Sequence, residues 1–267
     1  MQKKYLSLLL TLVGIYLFSD TLYGQSVWVD HDNERAVFLE ILKPDCKHFD
    51  NPKLDHMVAS LTQYWAAEED ISFVIELPVS RIHARYRWLY SNMPGYSVEE
   101  FTLGNIYIGI RNGGRHTIST FTLGLRWPLS KDEAELAREM GLDADRDRYG
   151  AFTHKLMTIS TNYFIRGELG DSTYMRFGLG ASLSRAIDSR GGAAYIDFNY
   201  NLLFWLKLFS IRLGTGLAGT TTAFQFGITG NGRIGRFEPG INFRLPLDRD
   251  FRERISYIFG FSLGFRY

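Results

Sequence analysis

Three groups of residues in this 267-residue chain have types and spacings that invite chemistry. His154, Ser160 and Asn162 supply a base, a nucleophile and an orienting amide, the types that acyl-transfer enzymes combine. They share one parity, yet six residues along a strand, at a rise of roughly 3.3 Å each, set His154 and Ser160 about 20 Å apart. That is too far for direct proton transfer, so a base from another strand would have to complete the site. Asp143, Asp145 and Asp147 are spaced like the start of a calcium loop. However, Arg148 stands where such a loop needs glycine and His154 where it needs a bidentate glutamate, so no metal is expected. Gly214-Thr-Gly216-Leu-Ala-Gly219 and Gly230-Asn-Gly232-Arg-Ile-Gly235 match the dinucleotide pattern. Neither opens a helix, as a pyrophosphate site requires, so no cofactor is expected.

A fourth group is dispersed. Arg111, Arg126, Arg166, Arg176, Arg212, Arg244, Arg254 and Arg266 fall on the polar parity of segments whose other parity is apolar, against Glu76, Glu168, Asp197 and Glu238. If that parity encloses a passage, eight guanidiniums against four carboxylates favour anions there. If it encloses a filled interior, the same residues are a salt-bridged packing. Arg111, Arg166, Arg176, Arg212 and Arg266 gather toward one end with Glu168 and Glu238, and these seven are the candidate selectivity residues.

The elements that must carry them are strands. In Ile255–Tyr267 every second residue is large and apolar (Ile255, Tyr257, Phe259, Phe261, Leu263, Phe265, Tyr267), and those between are mainly Ser, Gly and Arg. Successive side chains of a strand point to opposite faces, so this strand lies between two unlike environments. The alternation recurs at 71–77, 106–111, 120–127, 157–166, 175–183, 194–206, 209–217, 224–228 and 237–245, and more weakly at 36–47 and 57–66. About 12 strands follow, an even number as single-chain barrels prefer. Tight connections are expected at Glu68-Glu69-Asp70, Asn112-Gly113-Gly114, Gly170-Asp171, around Lys207 and at Asn231-Gly232, and longer ones at 82–101 and 128–152. Asp132 to Met140 predicts a short helix with too little apolar face for a core element, lying across or beside the barrel mouth.

A greasy outer face suits only lipid. Lys3 and Lys4 precede an apolar run from Tyr5 to Phe18, and Gly24 offers a small residue for cleavage. This predicts a secretory signal peptide over 1–24 and a barrel domain over 25–267; the run is shorter than the ~20 apolar residues of a membrane-spanning helix. Cys46 is the single cysteine, which excludes a disulfide framework. A formal net charge of +1 speaks against a nucleic-acid partner. The mean hydropathy of −0.13 excludes only helical membrane proteins, because barrel strands average out their two faces.

FVIELPVSRI (73–82), TLGNIYIGIR (102–111) and TLGLRWPLS (122–130) resemble the strands of Gram-negative outer-membrane proteins of the phenol meta-pathway transporter-like group. That group carries a Glu-x-Pro strand, a Leu-Gly-Asp/Asn strand and an aliphatic strand ending in Pro. The resemblance covers about a third of the chain. It implies an all-β, antiparallel transmembrane barrel in the outer membrane, with short periplasmic turns and longer extracellular loops. It also implies a channel or transporter for a small-molecule solute rather than an enzyme. Phe265 and Tyr267 look like the signal that outer-membrane proteins offer to the barrel assembly machinery. Two other functions fit the same strands: a structural or assembly-associated barrel, and a lipid-modifying enzyme. An outer-membrane phospholipase uses the residue types of His154, Ser160 and Asn162, but its tight His-x-Ser-Asn arrangement is absent here.

Overall fold

The structure, a computed structural model, describes residues 28, 35–47, 53–68, 70–86, 96–113, 118–130, 133–148, 150–187, 194–220 and 223–267. The expected signal peptide lies outside them. Thirteen strand segments form one antiparallel sheet: β1 Ala36–Cys46, β2 Lys53–Ala66, β3 Ile71–Tyr86, β4 Tyr96–Leu103, β5 Ile106–Asn112, β6 Ser119–Trp127, β7 Leu156–Gly170, β8 Thr173–Ala186, β9 Ala194–Leu208, β10 Ile211–Thr220, β11 Phe224–Gly232, β12 Phe237–Pro246 and β13 Ile255–Arg266. Except for β4 and β5, sequence neighbours pair with one another, and β1 pairs with β13 from Ala36↔Arg266 to Asp45↔Tyr257, which closes the sheet. β4 and β5 lie end to end on the same edge of β3, from Tyr86↔Tyr96 to Ile71↔Asn112, so they form one stave. The molecule is a closed barrel of 12 staves.

The outward parity is the apolar one. Tyr257, Phe259, Phe261, Leu263 and Phe265 of β13 are exposed, and Ser262 and Arg266 between them are buried. The same holds at Phe121, Leu123 and Trp127 of β6 and at Ile196, Tyr200 and Phe204 of β9. Residues that face water in a soluble sandwich here face the inside, which suits lipid around the barrel. No helix among the described residues is long and apolar enough to cross a membrane, so crossing falls to the strands.

Short turns gather at one end, the periplasmic end of such barrels. One lies two residues later than the sequence suggested: Leu208 pairs with Ile211, so Phe209 and Ser210 make the turn rather than the residues around Lys207. Phe209 takes φ +53° there, the left-handed region the two-residue turn demands. At the other end β3 runs on to Tyr86 and β4 starts at Tyr96, so the connection expected over 82–101 is shorter than its pattern implied.

The β6–β7 connection carries helix α1 (Glu135–Ala144) and a 3₁₀ turn (Arg146–Arg148), and helix α2 (Arg249–Arg254) precedes β13. The expected helix at 132–140 thus exists, shifted toward the C-terminus, and it is buried in the barrel rather than resting beside its mouth. Its inward residues are Ala137, Met140, Gly141 and Ala144. Small side chains let it approach the wall and register as a weak apolar face in sequence. A Cβ at Gly141 would stand 2.8 Å from the Phe152 ring.

Inside, bulky aromatics lie over glycines of the facing strands. The Tyr107 ring covers the cross-strand pair Gly109 and Gly124, and Trp28, which precedes β1 yet is fully buried, covers Gly227. The dinucleotide-like glycines are of the same kind: Gly214 faces Trp205, and a Cβ on Gly216 would stand 2.0 Å from the Leu202 carbonyl oxygen.

Candidate functional site

The β6–β7 loop crosses the lumen. α1 packs against β3, β2 and β4 with lighter contact to β1 and β13, while the 3₁₀ turn reaches β10. Beyond it Phe152 is buried among Leu42, Val58, Ala223, Phe251 and Ile258.

Asn105, in the break between β4 and β5, holds both ends of the loop. Its side-chain Nδ2 donates to the Gly150 carbonyl at 2.6 Å and the Thr153 carbonyl at 2.7 Å. Its Oδ1 accepts from the backbone amides of Leu129 and Ser130 at 3.0 and 3.1 Å. All four side-chain hydrogen-bonding directions of the amide are therefore used. The backbone amide of Asn105 donates to the Ala151 carbonyl at 2.5 Å, and that of Gly104 to the Pro78 carbonyl at 2.8 Å. A Cβ on Gly104 would stand 2.5 Å from the Ala151 oxygen, so the loop can dock only where a glycine leaves room. The stave breaks here because its backbone turns from the sheet to the loop.

At the centre Arg148 of the 3₁₀ turn is buried against three carboxylates. It donates to Glu40 of β1 at 2.6 Å, to Glu76 of β3 at 2.8 Å and to Asp145 at 2.6 Å. Arg126 of β6 also donates to Glu76, at 2.6 Å, and Arg244 of β12 to Glu40, at 2.9 Å. Thr62 and Asn242 add hydrogen bonds to Glu76 and Glu40. Among the described residues the cluster holds three guanidiniums and three carboxylates and is neutral. Burial raises the Asp145 carboxyl above its ordinary value, against the opposite pull of Arg148 and Arg244. Its Oδ1 has no hydrogen-bond donor and lies 3.8 Å from Arg244, while Oδ2 takes Arg148. Arg148 stays charged, its three carboxylates outweighing the desolvation.

The sequence-derived residues divide among several places. Glu76, Arg126 and Arg244 belong to this central cluster. Arg212, Glu238 and Arg266 form a second one near the short turns, where Glu238 accepts from both guanidiniums. Arg166 lies 3.8 Å over the Tyr174 ring and Arg176 5.3 Å over Phe164, with Arg111 on the same inward parity of β5. Asp197 is buried on β9. Two positions differ from expectation. Glu168 sits at the tip of β7 with its side chain 77% exposed, 4.0 Å from Arg166 and apart from Glu238, because β7 and β8 run on past their neighbours before turning. Arg254 ends α2 rather than beginning β13, so strand parity does not apply to it, and it donates to Asp143 at 3.2 Å. Phe265 packs outside against Phe237, and the Tyr267 hydroxyl accepts from Gln63 at 3.0 Å.

The hydrolase-like residues are not assembled. His154 uses Nδ1 on the Ser130 carbonyl at 2.9 Å, before β7 begins, while Ser160 and Asn162 are buried on β7. A different His–Ser pair exists beneath α1, His56 Nε2 and Ser80 Oγ at 3.0 Å, but Ser80 donates its proton to the Ala137 carbonyl at 2.5 Å. The aspartates read as a failed calcium loop pair with arginines: Asp143 with Arg146 and Arg254, Asp145 with Arg148. No three potential metal ligands group together among the described residues.

Sequence reasoning missed Glu40, Asp145, Arg148 and Trp28. Trp28 packs with Tyr174, Leu203 and Trp205, and its carbonyl accepts from Thr229 at 2.9 Å. Parity could have found Glu40, the one acid on the inward parity of β1 beside Ala36, Phe38 and Leu42. Nothing local marks Arg148, which lies in a loop that reads as solvated.

No protein-family model matches the chain, and no curated protein matches it. Among solved structures, an outer membrane channel from Pseudomonas putida F1 superposes with a TM-score of 0.60 at 10% identity, over 91% of this chain and 99% of that one. The translocator domain of the autotransporter NalP from Neisseria meningitidis superposes at 0.51 with 12% identity, over 90% of both chains. A KdgM porin in complex with disordered oligogalacturonate superposes at 0.46 with 6% identity, over 87% of this chain and 99% of that one. The chain therefore has the fold of outer-membrane β-barrels.

Proposed function

We propose that this chain is an outer-membrane channel for small molecules, with anions favoured, whose lumen is narrowed by the locked β6–β7 loop. The observation that carries the reading is the lumen itself: its wall is polar and charged, and a loop held by side-chain contacts, rather than a continuous apolar core, crosses it. The channel in the first superposed structure supports it by fold. Export through a signal peptide over 1–24 and recognition of Phe265 and Tyr267 by the assembly machinery belong to the same proposal.

Anion preference rests on where the charges balance. The central cluster is neutral, whereas the strands near the short turns bring Arg111, Arg166, Arg176, Arg212 and Arg266 inward with Glu238 as the buried acid. Arginine keeps its charge across ordinary pH, and in a confined lumen fixed charge is weakly screened. The test is the reversal potential of the refolded protein in a planar bilayer under a salt gradient. We expect an anion-selective current that loses selectivity and keeps its conductance when Arg166 and Arg176 are both replaced by Gln. A cation-selective wild type, or selectivity unchanged in the double variant, refutes the assignment.

A further inference from the structure

The outer wall over β2, β3 and β4 changes character abruptly along one face. Toward the short-turn end the outward residues are apolar, with Leu61 beside Leu77 and Val79 beside Leu103. In the next row out Arg81 stands between Met57 and Phe101, then His83 between Asp55 and Glu99, then Arg85 between Lys53 and Ser97. These residues keep the parity of the apolar band, so they point away from the barrel and not into the lumen. Arg81 pairs with Glu99 at 2.6 Å, and Asp55 with Lys43 at 2.9 Å. Lys53 and Arg85 are directly opposed like charges on the outer wall, and among the described residues neither makes an ion pair. Such a pairing is destabilising unless an anion lies between the two.

We propose that Lys53 and Arg85, with Arg81 beside them, bind the phosphate of an anionic, multiply acylated glycolipid of the outer leaflet. Its acyl chains lie on the band at Leu61, Leu77, Val79 and Leu103. The apolar row directly below favours a lipid over free phosphate, because a phosphate standing above acyl chains meets this sequence of surfaces in this order. Paired cations contacting one phosphate give charge-assisted hydrogen bonds in addition to the general attraction of a basic surface. The inference rests on the reading of the chain as an outer-membrane barrel with its long loops outside, and is independent of conduction.

The test is a binding titration of the refolded protein in neutral-detergent micelles with bisphosphorylated lipid A, with dephosphorylated lipid A as the control ligand. The Lys53→Gln, Arg85→Gln double variant should bind the phosphorylated lipid about a hundredfold more weakly, as expected for losing two charged contacts of roughly a factor of ten each. Both proteins should bind the dephosphorylated lipid equally. Asp55→Asn, which removes the competing anion, should bind more tightly and provides the test if the double variant does not fold. Equal affinity of wild type and double variant for the phosphorylated lipid, or an unchanged or weaker Asp55→Asn, overturns the proposal. Displacement of the lipid by inorganic phosphate also overturns it, by assigning the patch to the free anion. Bilayer conductance measured on the same preparations should be unaltered, so a failure to conduct refutes the channel and leaves the lipid result standing, and the reverse also holds.

Discussion

Replacing Arg148 with Met should loosen the β6–β7 loop without unfolding the barrel. The substitution keeps the length of the side chain and removes a guanidinium that serves Glu40, Glu76 and Asp145 within 2.8 Å. Among the described residues, the three buried carboxylates then face two guanidiniums, Arg126 and Arg244, and one negative charge is left uncompensated while the loop stays seated. Breaking a buried pair in this way costs about 3–5 kcal/mol. Release of the loop removes the cost, since Asp145 leaves with it and Glu40 and Glu76 keep Arg244 and Arg126. The whole penalty therefore falls on the seated state. At about 1.4 kcal/mol per factor of ten, the released fraction should rise roughly 10²- to 10⁴-fold. What still holds the loop is the burial of Phe152, worth about 1.5–3 kcal/mol, and the four side-chain hydrogen bonds of Asn105, about 1 kcal/mol each. These holding terms come to about 5.5–7 kcal/mol and exceed the penalty of about 3–5 kcal/mol, so transient openings are expected rather than a permanently released loop. Single-channel recording should show them as bursts of larger conductance, and proteolysis should cut within 133–148. The second substitution Asp145→Asn restores a neutral seated cluster and should suppress both effects. Wild-type gating and protection in Arg148→Met, or a barrel that no longer survives detergent, would refute the reasoning.

Three further outcomes follow from the same geometry. Acid should substitute for the Asn in the Arg148→Met background: the seated Asp145 carboxyl titrates above its ordinary value, so its contribution to seating is present at low pH and lost as pH rises through that raised value, and openings should become rarer on acidification. Asn105→Asp turns a donor that serves the Gly150 and Thr153 carbonyls into an acceptor facing both, and should unseat the loop by at least the 1–3 kcal/mol of an unsatisfied buried group, read as faster amide exchange over 129–130 and 150–153. Gly124→Ala places a Cβ 2.2 Å from the Tyr107 ring, an overpacking of about 1–3 kcal/mol; a lower melting temperature that Tyr107→Leu restores would confirm the socket, and additive losses would not.

Strand parity was legible because each strand lies between lipid and lumen, so that outward Phe259 and Phe261 alternate with inward Gly260 and Ser262 along β13. The loop was not legible for a related reason. Asp143, Asp145, Arg146 and Arg148 look like a solvated rim in sequence, where charges of both signs are ordinary, and only the closure of the barrel turns them inward. Glu76, Pro78, Gly104 and Asn105 stand in segments whose pattern resembles a transporter-like group, yet sequence gave a task only to Glu76, as one of the inward carboxylates. They meet where the loop docks: Glu76 on Arg148, Pro78 on Gly104, Gly104 beneath Ala151, and Asn105 on both ends of the loop. Glu168 and Arg254 were misplaced because parity says which way a strand residue points and not how far the strand extends.

Gating and selectivity should separate in this barrel. From the central cluster the released loop takes one cation, Arg148, and one anion, Asp145, and leaves Arg126 with Glu76 and Arg244 with Glu40. Among the described residues this cluster is neutral with the loop seated or released, so loop movement changes the width there and leaves the cluster's own charge unaltered. The inward arginines near the short turns are not bonded to the loop by any of these contacts and contribute the same field whether it is seated or free. Arg148→Met should accordingly alter the open fraction while preserving the reversal potential of its open bursts, in which the released loop takes Asp145 with it, and the Arg166, Arg176 double replacement should alter the reversal potential while preserving the open fraction. A single variant that moved both would mean that the two charge clusters act as one.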